Sequence, residues 1–256
     1  MINSQDKVFW RRLLFAFILM LVFTLSSCGA AQEEIEKSQA AGIEAEEGWT
    51  FGEDGYYSYA LVLTNNTDKL ISTATVNITA IGADGEELHP SSEGAGLYRI
   101  GPVQPGEKAA VCIESWDELW DGTPAKFSYQ LSRVNSGDFD APQLVVTDTE
   151  RVTSDEEGDI LEITIKNNGE EDFDWQEIAD NSYHSTKNVK VYQVVRDEEG
   201  KITGGREEFL DKYDTRLNEA AEGFPVIPSG GAVTLKDYYS ECQIPGDPEY
   251  IITFVP

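Results

Sequence analysis

The chain states one strand-and-turn pattern twice, and this repeat constrains its fold more than any other feature. Tyr59-Ala60-Leu61-Val62-Leu63-Thr64-Asn65-Asn66-Thr67 corresponds to Leu161-Glu162-Ile163-Thr164-Ile165-Lys166-Asn167-Asn168-Gly169. In both copies large apolar residues recur at every second position, the period of a strand with one buried face. In the second copy the other face is Glu162, Thr164 and Lys166, which belongs in water. Asn-Asn then closes each strand in a polar turn.

The copies continue in step. Second strands are predicted over Thr75 to Ile81 and Val189 to Val195, each leading into a Gly-containing acidic turn. The turns are Gly82-Ala83-Asp84-Gly85 and Arg196-Asp197-Glu198-Glu199-Gly200. Pro/Gly turns at Gly101 to Gly106 and Phe224 to Gly230 then open strands Lys108 to Glu114 and Ala232 to Asp237. Strands at Trp49 to Phe51 and Leu144 to Val152 precede each repeat, and Lys126 to Val134 and Tyr250 to Val255 close it. Short strands with frequent turns predict an all-β chain of two tandem antiparallel β-sandwich domains, 49–137 and 142–256. Ser, Gly, Asp and Pro cluster at the boundary, near Asn135 to Pro142.

The residues Leu61 to Asp68, Val76 to Glu86 and Ile100 to Ala110 run strand, Asn-Asn-x, strand, Asp-Gly turn, hydrophobic-x-Pro-Gly, strand. That order resembles the FxLYD-type and related immunoglobulin-like domains of bacterial lipoproteins. The second copy departs from it, with no Asp-Gly dipeptide and with Pro228-Ser229-Gly230 in place of Pro-Gly. The resemblance implies an immunoglobulin-like fold for both domains and brings no catalytic residues with it.

The N-terminus says where such a chain goes. Lys7, Arg11 and Arg12 flank an apolar run from Leu13 to Leu25, followed by Ser26, Ser27 and Cys28. A positive flank, a short apolar core and small residues before a cut site make a secretory signal peptide, residues 1–27. The run is shorter than the roughly 20 residues that span a bilayer as a helix. Leu25-Ser26-Ser27-Cys28 resembles the lipobox of bacterial lipoproteins. The resemblance implies a diacylglycerol on the Cys28 thiol, cleavage just before it, further acylation such as palmitate, and a place on the outer face of the cell membrane. The alternative is an uncleaved helical anchor with an incidental cysteine. Residues 28–48 are then the lipidated N-terminus and a flexible tether, rich in Ala, Glu and Gln.

Charge excludes one class of partner. With 47 acidic and 19 basic residues the net charge is −28, a field that repels nucleic acid. The acids are read as a solvated surface. Calcium is the alternative cofactor, through Asp155-Glu156-Glu157-Gly158-Asp159 or Asp172-Phe173-Asp174, but neither run has the ligand spacing of a calcium loop. No other cofactor and no metal site is expected. His89 and His184 are the only histidines, and neither sits in a catalytic or zinc-binding pattern. The chain is accordingly not read as an enzyme, and no catalytic residue is assigned.

Aligning Ala109 with Ala232 sets Cys112 opposite Leu235, an inward position. Cys112 then reads as a small core residue of the first domain, poorly placed to reach Cys242 in the second, with both thiols unpaired; the alternative is a Cys112–Cys242 disulfide, which export would permit.

Recognition has an obvious place. The span from Asn167 to Val195 exceeds its counterpart from Asn65 to Ile81, and the extra piece carries Phe173, Trp175 and Tyr183. These aromatics can form a contact surface for an envelope protein, peptide or glycan, or can simply pack over strand edges. Trp116 and Trp120 in the first domain pose the same choice. A second insertion near Arg206 to Glu222 places Phe209, Tyr213 and Leu217 at helical spacing. The expected function is a non-catalytic, membrane-tethered binding or structural module of the cell envelope. The rival is an accessory, ligand-presenting lipoprotein of an envelope transport system, and an extracytoplasmic enzyme comes third.

Overall fold

Alternation at period 2 builds the inner layers. The computed structural model describes residues 42–52, 56–114, 119–137, 142–154, 158–174, 189–208, 226–237 and 247–255. Every regular element among them is a strand, and all strand pairs are antiparallel. The chain is an all-β sandwich protein.

The first copy supplies β1 (Ile43–Phe51), β2 (Tyr57–Asn65), β3 (Ile71–Ile81), β4 (Leu97–Ile100), β5 (Lys108–Glu114) and β6 (Lys126–Ser136). They form two sheets, ordered β1-β2-β5 and β4-β3-β6. Tyr59, Leu61 and Leu63 of β2 meet Val76 and Ile78 of β3 in the core between them, with Val111 and Ile113 of β5 alongside. Burying each such side chain contributes roughly 1.5–3 kcal/mol. Strand β1 begins well before Trp49. Ile43, Ala45 and Trp49 pack on the core at alternate positions, a pattern that Glu44, Glu46 and Glu47 hide in the sequence.

The second copy supplies β7 (Leu144–Ser154), β8 (Gly158–Asn167), β9 (Phe173–Asp174), β10 (Val189–Arg196), β11 (Ile202–Glu208), β12 (Val226–Ile227), β13 (Ala232–Asp237) and β14 (Asp247–Phe254). Its sheets are ordered β13-β8-β7 and β11-β10-β14, with a short β12-β9 pair. The orders match the first copy strand for strand, with β7, β8 and β13 standing for β1, β2 and β5. The repeat therefore reaches topology. Leu161, Ile163 and Ile165 fill a second core with Val191 and Leu235.

The Asn-Asn turns are copies in detail. Asn65 is buried; its amide donates to the carbonyls of Lys69 (2.8 Å) and Val103 (2.9 Å), and its oxygen accepts from Thr67 N–H (3.0 Å). Asn167 is buried too; its amide donates to Glu171 (2.8 Å) and Ile227 (3.0 Å), and its oxygen accepts from Gly169 N–H (2.9 Å). Each side chain ties the turn after its strand to the segment that leads into β5 or β13.

Register corrects the place of Cys112. Leu61 pairs with Val111 and Ala60 with Cys112, while Ile163 pairs with Leu235. Val111, not Cys112, therefore holds the position of Leu235. A shift of one residue turns a strand's side chains to the opposite face. Cys112 is buried with a free thiol, but it faces away from the first core. Burial pushes that thiol well up, with the nearby Glu114, Glu207 and Glu208 adding to the effect. Cys242 lies outside the described residues.

What covers Cys112 is the second copy. The outer face of β1-β2-β5 packs on the outer face of β11-β10-β14. Ala60, Val62, Ala110 and Cys112 meet Tyr192, Val194, Ile202 and Ile251 in a third apolar cluster. Small residues let the sheets approach closely. Gly48 of β1 lies against the Ile202 carbonyl, and Gly205 of β11 against Ala60 and Cys112.

Two hydroxyls stitch this seam reciprocally. Ser58 Oγ donates to Gly205 O (2.7 Å) and accepts from Gly205 N–H (2.8 Å). Thr253 Oγ1 accepts from Ala110 N–H (2.8 Å) and donates to Ala110 O (3.1 Å). A network of charges closes the rim: Lys108 to Glu249, Glu249 to Arg196 (3.3 Å), and Arg196 to Glu46 (2.6 Å). Burial alone would raise the Glu249 carboxyl; the hydrogen bonds and charges of Lys108 and Arg196 outweigh it and hold the group below its usual range. Residues Gly42–Pro256 accordingly make one compact unit. Residues 1–41, with the apolar run, Cys28 and most of the tether, lie outside the described residues.

Candidate functional site

The structure distributes the expected contact residues unevenly. Trp175 and Tyr183 lie outside the described residues, as do His184, Trp116 and the Phe209, Tyr213, Leu217 face. Phe173 is described, and it corrects the expectation. It is buried in the second core, with its ring edge-on to Phe254 at a centroid distance of 6.5 Å. The repeat explains why. Phe173 follows Asn167 at the same interval at which Ile71 follows Asn65, and Ile71 is also core. Phe173 pairs with Ile227 as Ile71 bridges to Val103. Trp120 is likewise core, buried against Phe127 (5.7 Å) and Tyr57 (6.3 Å).

The acidic runs are engaged locally where they are described. Asp172 Oδ1 accepts from Ser229 N–H at 2.9 Å, tying the turn after β8 to the turn before β13. Asp155 to Glu157 lie outside the described residues. Among the described residues no group of three or more His, Cys, Asp or Glu is placed to hold a metal ion.

One polar cluster is built where sequence reading saw none. On the core-facing side of β11-β10-β14, Gln193 of β10 pairs with Arg206 of β11 and with Tyr250 of β14. Gln193 is wholly buried and Glu208 nearly so. The Gln193 amide donates to Tyr250 Oη at 2.8 Å, while its buried Oε1 has no hydrogen-bond partner among the described residues. Arg206 Nη2 lies 3.5 Å from Glu208 Oε2, and both side chains are shielded from water. Desolvating such a pair is expensive unless its geometry and further hydrogen bonds compensate.

Chemically, the cluster offers a guanidinium, a carboxylate, an amide and a phenol. These can orient a polar group or anchor the chain leaving β11. They do not make a nucleophile with a base. The sequence carried a faint signal: Gln193 interrupts the apolar run Val191 to Val195. Arg206 and Glu208 gave none, because Gly204-Gly205 before them reads as a loop.

Set against models of known protein families and against curated proteins, the sequence matches none.

Proposed function

We propose that the chain is a membrane-tethered, non-catalytic lipoprotein of the bacterial cell envelope. Its body serves as a binding or structural module that works through its outer faces. The observation that carries the second statement is the closed seam. A hinge-type solute binder opens and closes two lobes around a ligand. Here the faces that would form such a cleft are buried against each other through Ala60, Cys112, Val194 and Ile251. The tether rests on the sequence alone, on Leu25-Ser26-Ser27-Cys28 behind its apolar run. On this reading both copies are FxLYD-like immunoglobulin-like domains and the protein is exported. Two acyl chains hold a protein stably at a membrane where one is marginal.

A second reading, a ligand-presenting accessory of an envelope transport system, draws on the buried Gln193, Arg206 and Glu208. In sequence, Arg206 and Glu208 stand at the start of the second insertion of the second copy.

Metabolic labelling with palmitate tests the tether. The wild-type chain is expected to take the label and fractionate with membranes, and Cys28→Ala to lose the label. Normal labelling of Cys28→Ala would overturn the lipoprotein reading.

A further inference from the structure

The sheet β4-β3-β6 differs from every other sheet among the described residues. Its three strands contain no Asp or Glu, in a chain with 47 of them. Each of the other sheets described carries at least one, among them Glu46 in β1-β2-β5, Asp148 in β13-β8-β7 and Glu249 in β11-β10-β14. The charges β4-β3-β6 does carry are positive: Arg99, Lys126 and Arg133.

Its outer face is equally distinct. Ala74, Val76, Ile78 and Ala80 of β3 point into the first core, so the residues between them point out. Those are Thr75, Asn77 and Thr79, and their partners across the ladder in β6 are Ser132, Gln130 and Ser128. On the other flank Arg99 pairs with Thr75, and Leu97, 50% exposed, pairs with Asn77. Hydroxyls and amides thus form rungs across the sheet, with a guanidinium and one apolar side chain at the edge. Strand β3 makes this strip about 35 Å long. Glu87 bridges Ile81 at one end, so a carboxylate borders the strip there.

We propose that this face docks a linear, sparsely charged anionic polysaccharide. Hydroxyls and amides both donate and accept, as sugar hydroxyls require. Arg99 can hold a carboxylate through its fork, and Leu97 can lie under the C–H face of a sugar ring. Three basic residues along the sheet suit a polymer with occasional charges. They do not suit nucleic acid, which carries a charge about every 1.7 Å. Carboxylates elsewhere on the body repel a polyanion and leave this sheet as its landing place. The inference deepens the binding-module reading above and rests on it.

Hyaluronan, with one carboxylate per disaccharide, is the probe. The full chain in non-ionic detergent is tested for retention on immobilised hyaluronan at physiological salt. Polyglutamate serves as a charge-only control and phosphatidylglycerol vesicles as a lipid control. The expected result is retention on hyaluronan in preference to both controls. Arg99→Glu combined with Asn77→Asp should weaken it about tenfold or more, with an unchanged melting temperature. The proposal is overturned by no retention, by equal binding to either control, or by full binding of the double variant. Palmitate labelling reads the tether separately, so failure here is distinguishable from failure of the lipoprotein reading.

Discussion

Gly205→Val is expected to destabilise the whole body by about 3 kcal/mol or more, the upper end of what overpacking costs. A Cβ at Gly205 would lie 2.5 Å from the Gln193 carbonyl oxygen on the neighbouring strand of its own sheet, 2.6 Å from Cys112 Sγ and 3.1 Å from the Ala60 Cβ. None of the three is the end of a long flexible side chain: the first is backbone, and the other two are short groups on strands of the opposing sheet. The added isopropyl group can be housed only if the two sheets move apart and β10 and β11 also shift against each other. Separation would also break the reciprocal bonds of Ser58 to Gly205, and leave a buried N–H and C=O without partners at further cost. For a body of this size the midpoint should fall by about 10 °C. Thermal unfolding followed by circular dichroism checks this, and a shift below about 2 °C would mean that the seam tolerates separation.

Asn65→Ala and Asn167→Ala should each cost about 2–3 kcal/mol, and by similar amounts. Each removes two donated bonds and one accepted from a backbone N–H in a buried turn. Alanine cannot replace any of them, and water has poor access to the buried carbonyls of Val103 and Ile227. Similarity of the two costs is the sharper expectation. The two side chains bond to backbone groups at matching places in the repeat, so a shared architecture implies similar costs, with Asn65 the higher because its oxygen also accepts from Thr67 Oγ1 (2.6 Å). Urea titration of each variant measures it. A cost below about 0.5 kcal/mol at either site would show that its turn closes without the side chain.

Much of this fold is legible in the sequence because one face of each repeat strand is simple. Leu161, Ile163 and Ile165 alternate with charged or polar residues, and the inner face follows directly. The first copy hides more. Ser58, Ala60 and Val62 alternate with Tyr57, Tyr59 and Leu61, so β2 is small and apolar where β8 is charged. A run apolar on both faces is the mark of a strand buried on both sides. Alternation of the larger residues alone concealed it, and with it the seam.

The misplacing of Cys112 has the same root. With only one face of β5 thought to be buried, either register put an apolar residue inside. The ladder separates them, because Leu61 opposes Val111. Strands β4 and β11 were missed for different reasons. Strand β4 is four residues long, and β11 contains Gly204-Gly205, which sequence reading takes for a break. Gly205 is there because the Gln193 carbonyl and the opposing sheet leave no room for a side chain, and Gly204 holds a positive φ of 152° that favours glycine. The polar cluster was illegible because nothing local tells a buried Arg206 or Glu208 from the many exposed charges of an acidic chain. Phe173, by contrast, could have been read correctly from its interval after Asn167.

The central claim is that the seam joins both copies into one cooperative unit. Urea unfolding followed by two probes tests it most directly. In a Trp10→Phe, Trp175→Phe variant, tryptophan fluorescence reports the first copy alone, through Trp49, Trp116 and Trp120, and far-ultraviolet circular dichroism reports the strands of both copies. Two transitions that coincide in midpoint and slope are expected, since neither copy can unfold without exposing the face the other covers. Separate midpoints, with fluorescence and ellipticity changing at different urea concentrations, would contradict the account.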